Sequence, residues 1–414
     1  MSKLYGCIGE RLKHSFSKEI HNALTDYDYR IIEVERDKLF EFATEANFAA
    51  INVTIPYKEM IMPYLYSIDE HAKSIGAVNT VVNRDGRLYG YNTDFYGMSS
   101  LLAHAGISVA GKKVLILGTG GTSKTARAVV TAEGASEVVR VSRTGREDAV
   151  TYDEMYEKHT DAQIIINTTP EGMYPNIFGK AVELDKFSTL CGVIDAVYNP
   201  LRTPMILEAK RLGIKAEGGL YMLVAQAVRA SEIFTDTKYN ESECERIYRR
   251  IVGEKENIVL IGMPASGKST VGKIIAKRLG RRVIDTDKLI IERAGKDIPT
   301  IFREEGEDAF RKMEAEVIRD CAKETGAVIA TGGGAVLRKE NVDALRENGR
   351  LYFIDRPLER LMPTADRPLS STREEITKRY RERYGIYTAA ADIIVKADCF
   401  PKAVAEKIIK EFEK

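Results

Sequence analysis

"IVLIGMPASGKST", residues 258–270, is an apolar run that breaks into a glycine-rich loop closing on a lysine and two hydroxyls. Its core fits G-x-x-x-x-G-K-[ST], a loop whose backbone amides wrap the β-phosphate of a nucleotide. Gly262 and Gly267 shape that loop, Lys268 reaches the β- and γ-phosphates, and Ser269, followed by Thr270, supplies the hydroxyl for Mg²⁺. Val271, Ile274, Ile275 and Leu279 then recur at helical spacing, so the loop opens a helix whose N-terminal amides face an anion. The pattern predicts a strand, a phosphate loop and a helix, and with them ATP and magnesium. It leaves the phosphoryl acceptor open.

Working outward, a second apolar run breaks into a second glycine loop at "KKVLILGTGGTSKTARAVV", residues 112–130. Here Gly118, Gly120 and Gly121 form a variant of the dinucleotide fingerprint, in which glycines allow backbone amides to approach a pyrophosphate. The next strand, "EVVRVSRT", ends at Ser142, Arg143 and Thr144, where an unphosphorylated adenosine ribose would call for a carboxylate. A guanidinium there can grip a 2′-phosphate through parallel charged hydrogen bonds, so the expected cofactor is NADP(H) rather than NAD.

A chain of 414 residues exceeds one ordinary core, and two or three domains are expected. With 44% apolar residues and a formal net charge of +1, it has no polyanion-binding character, and nucleic acid is not an expected partner. The cysteines at 7, 191, 244, 321 and 399 show no C-x-x-C pair and no zinc-ligand spacing. They read as reduced thiols. "MSKLYGCIGERLKHSFS" lacks an apolar signal core, and the longest apolar runs are strand-sized, below the roughly 20 residues a bilayer requires. The expectation is a cytoplasmic protein without membrane contact.

Short β-branched runs such as "EVVRVS", "AQIIIN" and "CGVIDAV" alternate with amphipathic stretches, the pattern of α/β units around a mostly parallel sheet. The charged segment at 239–257 reads as a polar helix running into a domain junction, placed near residue 254.

Upstream of the dinucleotide loop, "KHSFSKEIHN", "INVTIPYKE" and "GAVNTVVNRDGRLYGYNTDFYG" gather Ser15, Ser17, Asn52, Thr54, Lys58, Asn79 and Asp94. With "NTTPEGM", "DAVYNPLRTP" and "GGLYMLVAQA" in the same order, residues 4 to about 250 resemble shikimate dehydrogenase. The resemblance implies that Ser15 and Ser17 hold the substrate carboxylate, that Thr54, Asn79 and Gln226 bind the hydroxyl-bearing ring, and that Lys58 and Asp94 form the catalytic pair. The chemistry is coherent. Reduction of a ketone leaves an alkoxide, which an ammonium beside the carbonyl oxygen can stabilise and protonate, while a carboxylate orients that ammonium.

Downstream of the phosphate loop, "DTDKLIIERAGKDIPTIFREEGEDAFRKME", "ATGGGAV", "ADRPL" and "RERYGIY" together resemble shikimate kinase across residues 257–414. That resemblance implies that Asp287 contacts the acceptor hydroxyl and that Asp285 supports Mg²⁺ through water. It also implies that Arg311 and Arg383 clamp the substrate carboxylate, that Gly332, Gly333 and Gly334 line the ring, and that Arg367 reaches the transferred phosphoryl group.

The expected architecture is α/β. A substrate-binding domain at 1–100, closed by a returning helix near 225–254, is followed by a Rossmann NADP domain at 101–224 and a P-loop kinase domain with a parallel sheet at 257–414. The expected function is bifunctional: 3-dehydroshikimate reduced to shikimate, then shikimate phosphorylated. The alternative is one catalytic half with a ligand-sensing or assembly module. Intact Lys58 with Asp94 and intact Lys268 with Asp287 count against it.

Overall fold

The structure is a computed structural model, and it describes residues 4–12, 16–145, 148–362 and 372–414. The chain divides into two compact units, Met1–Ile251 and Val252–Lys414.

The first unit holds two sheets. One contains β1 (Tyr5–Gly9), β2 (Tyr29–Glu33), β3 (Ala50–Val53), β4 (Ser67–Ile68), β5 (Thr80–Arg84) and β6 (Arg87–Tyr91), in the order β2-β1-β3-β5-β6-β4. It departs from the parallel pattern where β5 pairs antiparallel with both β3 and β6. For β5 and β6 the cause lies in Asp85-Gly86, which take φ of 53° and 82° and close a tight hairpin that parallel strands cannot use.

The other sheet contains β7 (Lys113–Leu117), β8 (Glu137–Val141), β9 (Ala149–Val150), β10 (Ile164–Asn167), β11 (Gly192–Asp195) and β12 (Lys215–Glu217). Its order is β12-β11-β10-β7-β8-β9, every pair parallel. The chain crosses to opposite sides of β7, so a crevice opens at the carboxyl ends of β7 and β10, where doubly wound sheets take ligands. Helices cover both faces, which is why Val114, Leu115, Ile116 and Leu117 are all fully buried. Each such side chain contributes about 1.5–3 kcal/mol.

Two helices join the lobes. Asp94–His104 leaves the first sheet and lies along Leu220–Thr235, with Gly97 as the contact: a Cβ there would fall 2.8 Å from Met222 O. Helix Leu220–Thr235 sends Met222 into the core of the second lobe, and Ala230 and Phe234 into that of the first, beside Cys7, Tyr29, Ala50 and Val82.

The second unit has one parallel sheet of β13 (Asn257–Ile261), β14 (Val283–Asp285), β15 (Val328–Ala330), β16 (Gly349–Asp355) and β17 (Ile393–Lys396), ordered β14-β15-β13-β16-β17. The central strand β13 is buried along its whole length. Among the described residues, no helix is long and apolar enough to cross a membrane.

Candidate active sites

In the first unit, helix Tyr57–Met60 follows β3 directly, and Tyr57 anchors it by burying its ring and donating its hydroxyl to Val34 O. This fixes Lys58, whose Nζ donates to Asp94 Oδ2 at 2.6 Å. Asp94 is 5% exposed and begins its helix, where the N-terminal dipole favours a carboxylate.

Asn79, also buried, accepts through Oδ1 from Thr93 N at 2.8 Å and from the Thr80 hydroxyl at 3.0 Å. Its oxygen is therefore engaged, and the group it can offer a ligand is the amide Nδ2, a donor. Behind it, Tyr29 donates to Asn52 Oδ1 at 2.6 Å, and Asn52 Nδ2 reaches Thr80 Oγ1 at 3.3 Å. Thr54 packs at Gly9, where a Cβ would lie 2.8 Å from Thr54 Cγ2. Gln226 adjoins Gly97, one turn from Asp94, and its buried Oε1 has no hydrogen-bond partner in the protein, as expected of a group that awaits a ligand donor. Ser17 begins helix Ser17–Leu24, and the preceding Phe16 ring packs on Tyr198 at 5.4 Å. Ser15 lies outside the described residues.

Across the crevice, Gly118 holds φ +107° and presses so close to Thr168 that a Cβ would meet its Oγ1 at 2.8 Å. Above Gly120 and Gly121 there is open space, and helix Gly121–Ala132 starts without a side-chain cap. Unpaired helix amides facing open space suit the pyrophosphate of a dinucleotide. Ser142, Arg143 and Thr144 follow β8, beside this loop, because Gly118 N bonds Val141 O at 2.7 Å. Arg143 and Thr144 are exposed, and Ser142 Oγ accepts from Gly145 N at 3.0 Å.

Sequence reading gave no role to Asp195, which binds the loops at the ends of β10 and β11. It accepts from Asn167 Nδ2 at 2.9 Å, Val197 N at 3.0 Å and the Thr203 hydroxyl at 2.6 Å. Burial pushes its carboxyl up to about 7, opposed by those three donors. The signal was present in "NTTPEGM" and "DAVYNPLRTP", although only the fold shows that Asn167 and Asp195 sit side by side.

In the second unit the phosphate loop leaves β13 through Gly262, Ala265 and Gly267 at φ of +149°, +62° and +94°. Lys268 is 6% exposed and donates to Gly262 O at 2.8 Å and Met263 O at 2.9 Å. Ser269 Oγ donates to Asp285 Oδ2 at 2.7 Å, so the hydroxyl and carboxylate expected at Mg²⁺ are adjacent hard oxygens. Thr270 is exposed on the first turn of helix Lys268–Leu279.

Gly332, Gly333 and Gly334 gather the remaining groups. A Cβ at Gly332 would lie 2.5 Å from Asp287 Oδ1, one at Gly333 2.8 Å from Pro264 Cγ of the phosphate loop, and one at Gly334 2.0 Å from Arg311 Nη1. Arg383 Nη1 reaches Gly333 O at 3.4 Å. Glycine is needed here for close approach. Arg311 also bonds Glu307 at 3.0 Å and Glu314 at 2.7 Å. Glu314, which sequence reading passed over, is fully buried, and its Oε1 would be 3.0 Å from a Cβ at Gly332. Burial pushes its carboxyl up, while Arg311 pulls it down. Its i,i+3 spacing from Arg311 was the available signal. Arg367 lies outside the described residues.

A protein from Clostridium perfringens described as shikimate dehydrogenase (NADP(+)) is 39% identical over 268 residues, 60% of this chain and 98% of the relative. The chain belongs to the shikimate dehydrogenase family. The family model for the shikimate dehydrogenase substrate binding domain matches residues 7–81, and that for shikimate kinase matches residues 264–413. The chain is thus a shikimate dehydrogenase that carries a shikimate kinase domain. Among solved structures, a chorismate mutase/shikimate 5-dehydrogenase fusion protein from Clostridium acetobutylicum is 32% identical, with a TM-score of 0.57, covering 61% of this chain and 97% of that one. Shikimate 5-dehydrogenase from Thermus thermophilus, in complex with NADP(H) and shikimate, is 28% identical, with a TM-score of 0.54, covering 60% of this chain and 99% of that one.

Proposed function

We propose that the two sites act in sequence on one metabolite: the first reduces 3-dehydroshikimate to shikimate, and the second phosphorylates shikimate at its 3-hydroxyl. NADPH supplies the reducing equivalent in the first, and MgATP the phosphoryl group in the second. Both are metabolites of the cytoplasm, where we place the enzyme.

In the first site Lys58 polarises the ketone oxygen and delivers a proton as the alkoxide forms, and Asp94 holds the ammonium in place and balances its charge. Ser15 and Ser17 bind the substrate carboxylate. Asn79 donates to a ring hydroxyl, Gln226 accepts from one through its unpartnered oxygen, and Thr54 completes the ring contacts. Gly118, Gly120 and Gly121 receive the pyrophosphate, while Ser142, Arg143 and Thr144 receive the 2′-phosphate end.

In the second site Asp287 orients the acceptor hydroxyl against the glycines at 332–334, and Arg311 and Arg383 hold the substrate carboxylate. Lys268 and Arg367 neutralise charge on the transferred group, and Ser269 with Asp285 fits a magnesium ion held partly through water. The observation that supports the reading is a close pairing of chemically apt groups in each unit: Lys58 with Asp94 at 2.6 Å, and Asp287 and Arg311 around one glycine loop.

The test is a product assay on the full chain with dehydroshikimate, NADPH and MgATP. Shikimate 3-phosphate should form with all three, shikimate should accumulate without MgATP, and neither should appear without NADPH. Phosphorylation of dehydroshikimate itself, or no reduction, would overturn the proposed order.

A further inference from the structure

Asp148 ties together two arginines from two elements beside the dinucleotide loop. Its Oδ2 accepts from Arg127 Nη1 at 2.6 Å, and its Oδ1 accepts from Arg140 Nη2. Arg127 belongs to helix Gly121–Ala132, the helix that begins at the dinucleotide loop, and Arg140 lies on β8 with only 7% of its side chain exposed. Asp148 itself holds φ +60°, a left-handed conformation that non-glycine residues adopt rarely and at a cost. It immediately precedes β9, in which Ala149 lies opposite Arg140 and Val150 opposite Val141. At the other end of the excursion, Ser142 N bonds Val150 O at 2.9 Å and Ser142 Oγ accepts from Gly145 N. Ser142, at the end of β8, and Asp148, before β9, are thus each tied to their neighbours. Arg143, next to Ser142, is exposed.

We propose that Asp148 is a positioning residue for cofactor discrimination: by clamping Arg127 to Arg140 it fastens the helix that opens at the dinucleotide loop to β8, the strand from whose end Arg143 emerges to meet the 2′-phosphate. The inference rests on the reading of Arg143 given above. An arginine at a loosely held strand end must lose both backbone and rotamer freedom on gripping a phosphate, and one at a strand end tied in advance loses less. NADH lacks the 2′-phosphate and draws nothing from this arrangement.

The sign of the effect separates this role from a plain field effect. Asp148 is a carboxylate near an anion site, so by charge alone its neutralisation would tighten NADPH binding. Positioning demands the opposite.

The experiment titrates the full chain with NADPH and with NADH by nicotinamide fluorescence, which no tryptophan obscures because the chain has none. The variants are Asp148→Asn, Asp148→Gly and Arg143→Ala. Asp148→Asn should weaken NADPH about tenfold and NADH less than about twofold, the scale of a charge-assisted contact misplaced rather than deleted. Asp148→Gly should match it, since glycine accepts the left-handed backbone and the loss is then of the tie, not of strain. NADPH binding that is unchanged or tighter, or equal losses for both cofactors, overturns the proposal. If Arg143→Ala removes the preference for NADPH while Asp148→Asn keeps it, the reading of Arg143 stands and the role of Asp148 falls. If Arg143→Ala leaves the preference intact, both fall.

Discussion

The Arg311 guanidinium occupies the space that a side chain at Gly334 would need: a Cβ there would lie 2.0 Å from Nη1 and 2.5 Å from Cζ. Arg311 is also held by Glu307 and Glu314, so it cannot simply swing away. Gly334→Ala should therefore raise the KM for shikimate by about tenfold or more, the cost of misplacing a positioned charge. Reduction of dehydroshikimate should be unchanged. Normal phosphorylation kinetics in this variant would show that Arg311 does not touch the substrate.

Lys58→Ala should slow reduction by about 10²–10⁴-fold, the usual loss for a positioned proton donor, and leave shikimate phosphorylation intact. Asp94→Asn should impair the same reaction, because Lys58 loses the charged partner it meets at 2.6 Å. Steady-state assays of both activities on each variant check this.

Lys268→Ala or Asp287→Asn should abolish formation of shikimate 3-phosphate and spare NADPH oxidation. The two residues lie in the unit Val252–Lys414, whereas Lys58 and Asp94 lie in Met1–Ile251. Loss of both activities in either variant would contradict the assignment of each reaction to its own unit.

The two halves should each fold and act when expressed alone, but the position of the cut matters. Arg281 Nη1 donates to Glu256 O at 2.7 Å, Gly326 N donates to Lys255 O at 2.7 Å, and Glu256, 1% exposed, pairs with Arg350 at 2.8 Å. A kinase fragment that starts at 257 loses all three. It should be less stable than fragment 252–414 by about 1–3 kcal/mol, since Arg350 keeps partial access to water. Urea denaturation of the two fragments measures the difference.

Glu347 is 2% exposed, and its Oε2 has no hydrogen-bond partner. Burial, with Asp343 nearby, pushes its carboxyl up to about 9 from an ordinary 4.5. The folded state then binds the extra proton across that interval, so this group's stabilisation is complete below about pH 4.5 and is lost as pH rises through about 9. Glu347→Gln should flatten the alkaline fall in heat-inactivation temperature of the kinase activity and raise it at pH 8.5. An unchanged slope would show that Glu347 is not the titrating group.

Much of this was legible in the chain because glycine loops, helix periodicity and the motifs around Lys58 and Lys268 encode local geometry. The hairpin at Asp85-Gly86 was equally local, yet its consequence, a mixed first sheet, depends on which strand the hairpin lies against. Glu314 and Asp195 left only a weak local signal. A glutamate inside "FREEGEDAFRKME" looks like its solvated neighbours until burial distinguishes it, and Asp195 gains meaning only from Asn167, 28 residues away in sequence. The roles of Ser15 and Arg367 rest on the sequence alone, since both lie outside the described residues.

The placement of helix Leu220–Thr235 also bears on how the protein is made. Its Ala230 and Phe234 close the core around Cys7, Tyr29, Ala50 and Val82, yet they are translated after the entire second sheet. At about 5–20 residues per second, the first sheet stands completed but open for roughly 7–30 s before that helix leaves the ribosome. During this interval its apolar face is available to chaperones or to other nascent chains. The kinase half, encoded downstream of the helix, does not lengthen this gap, whereas the same domain placed between β12 and the helix would have prolonged it.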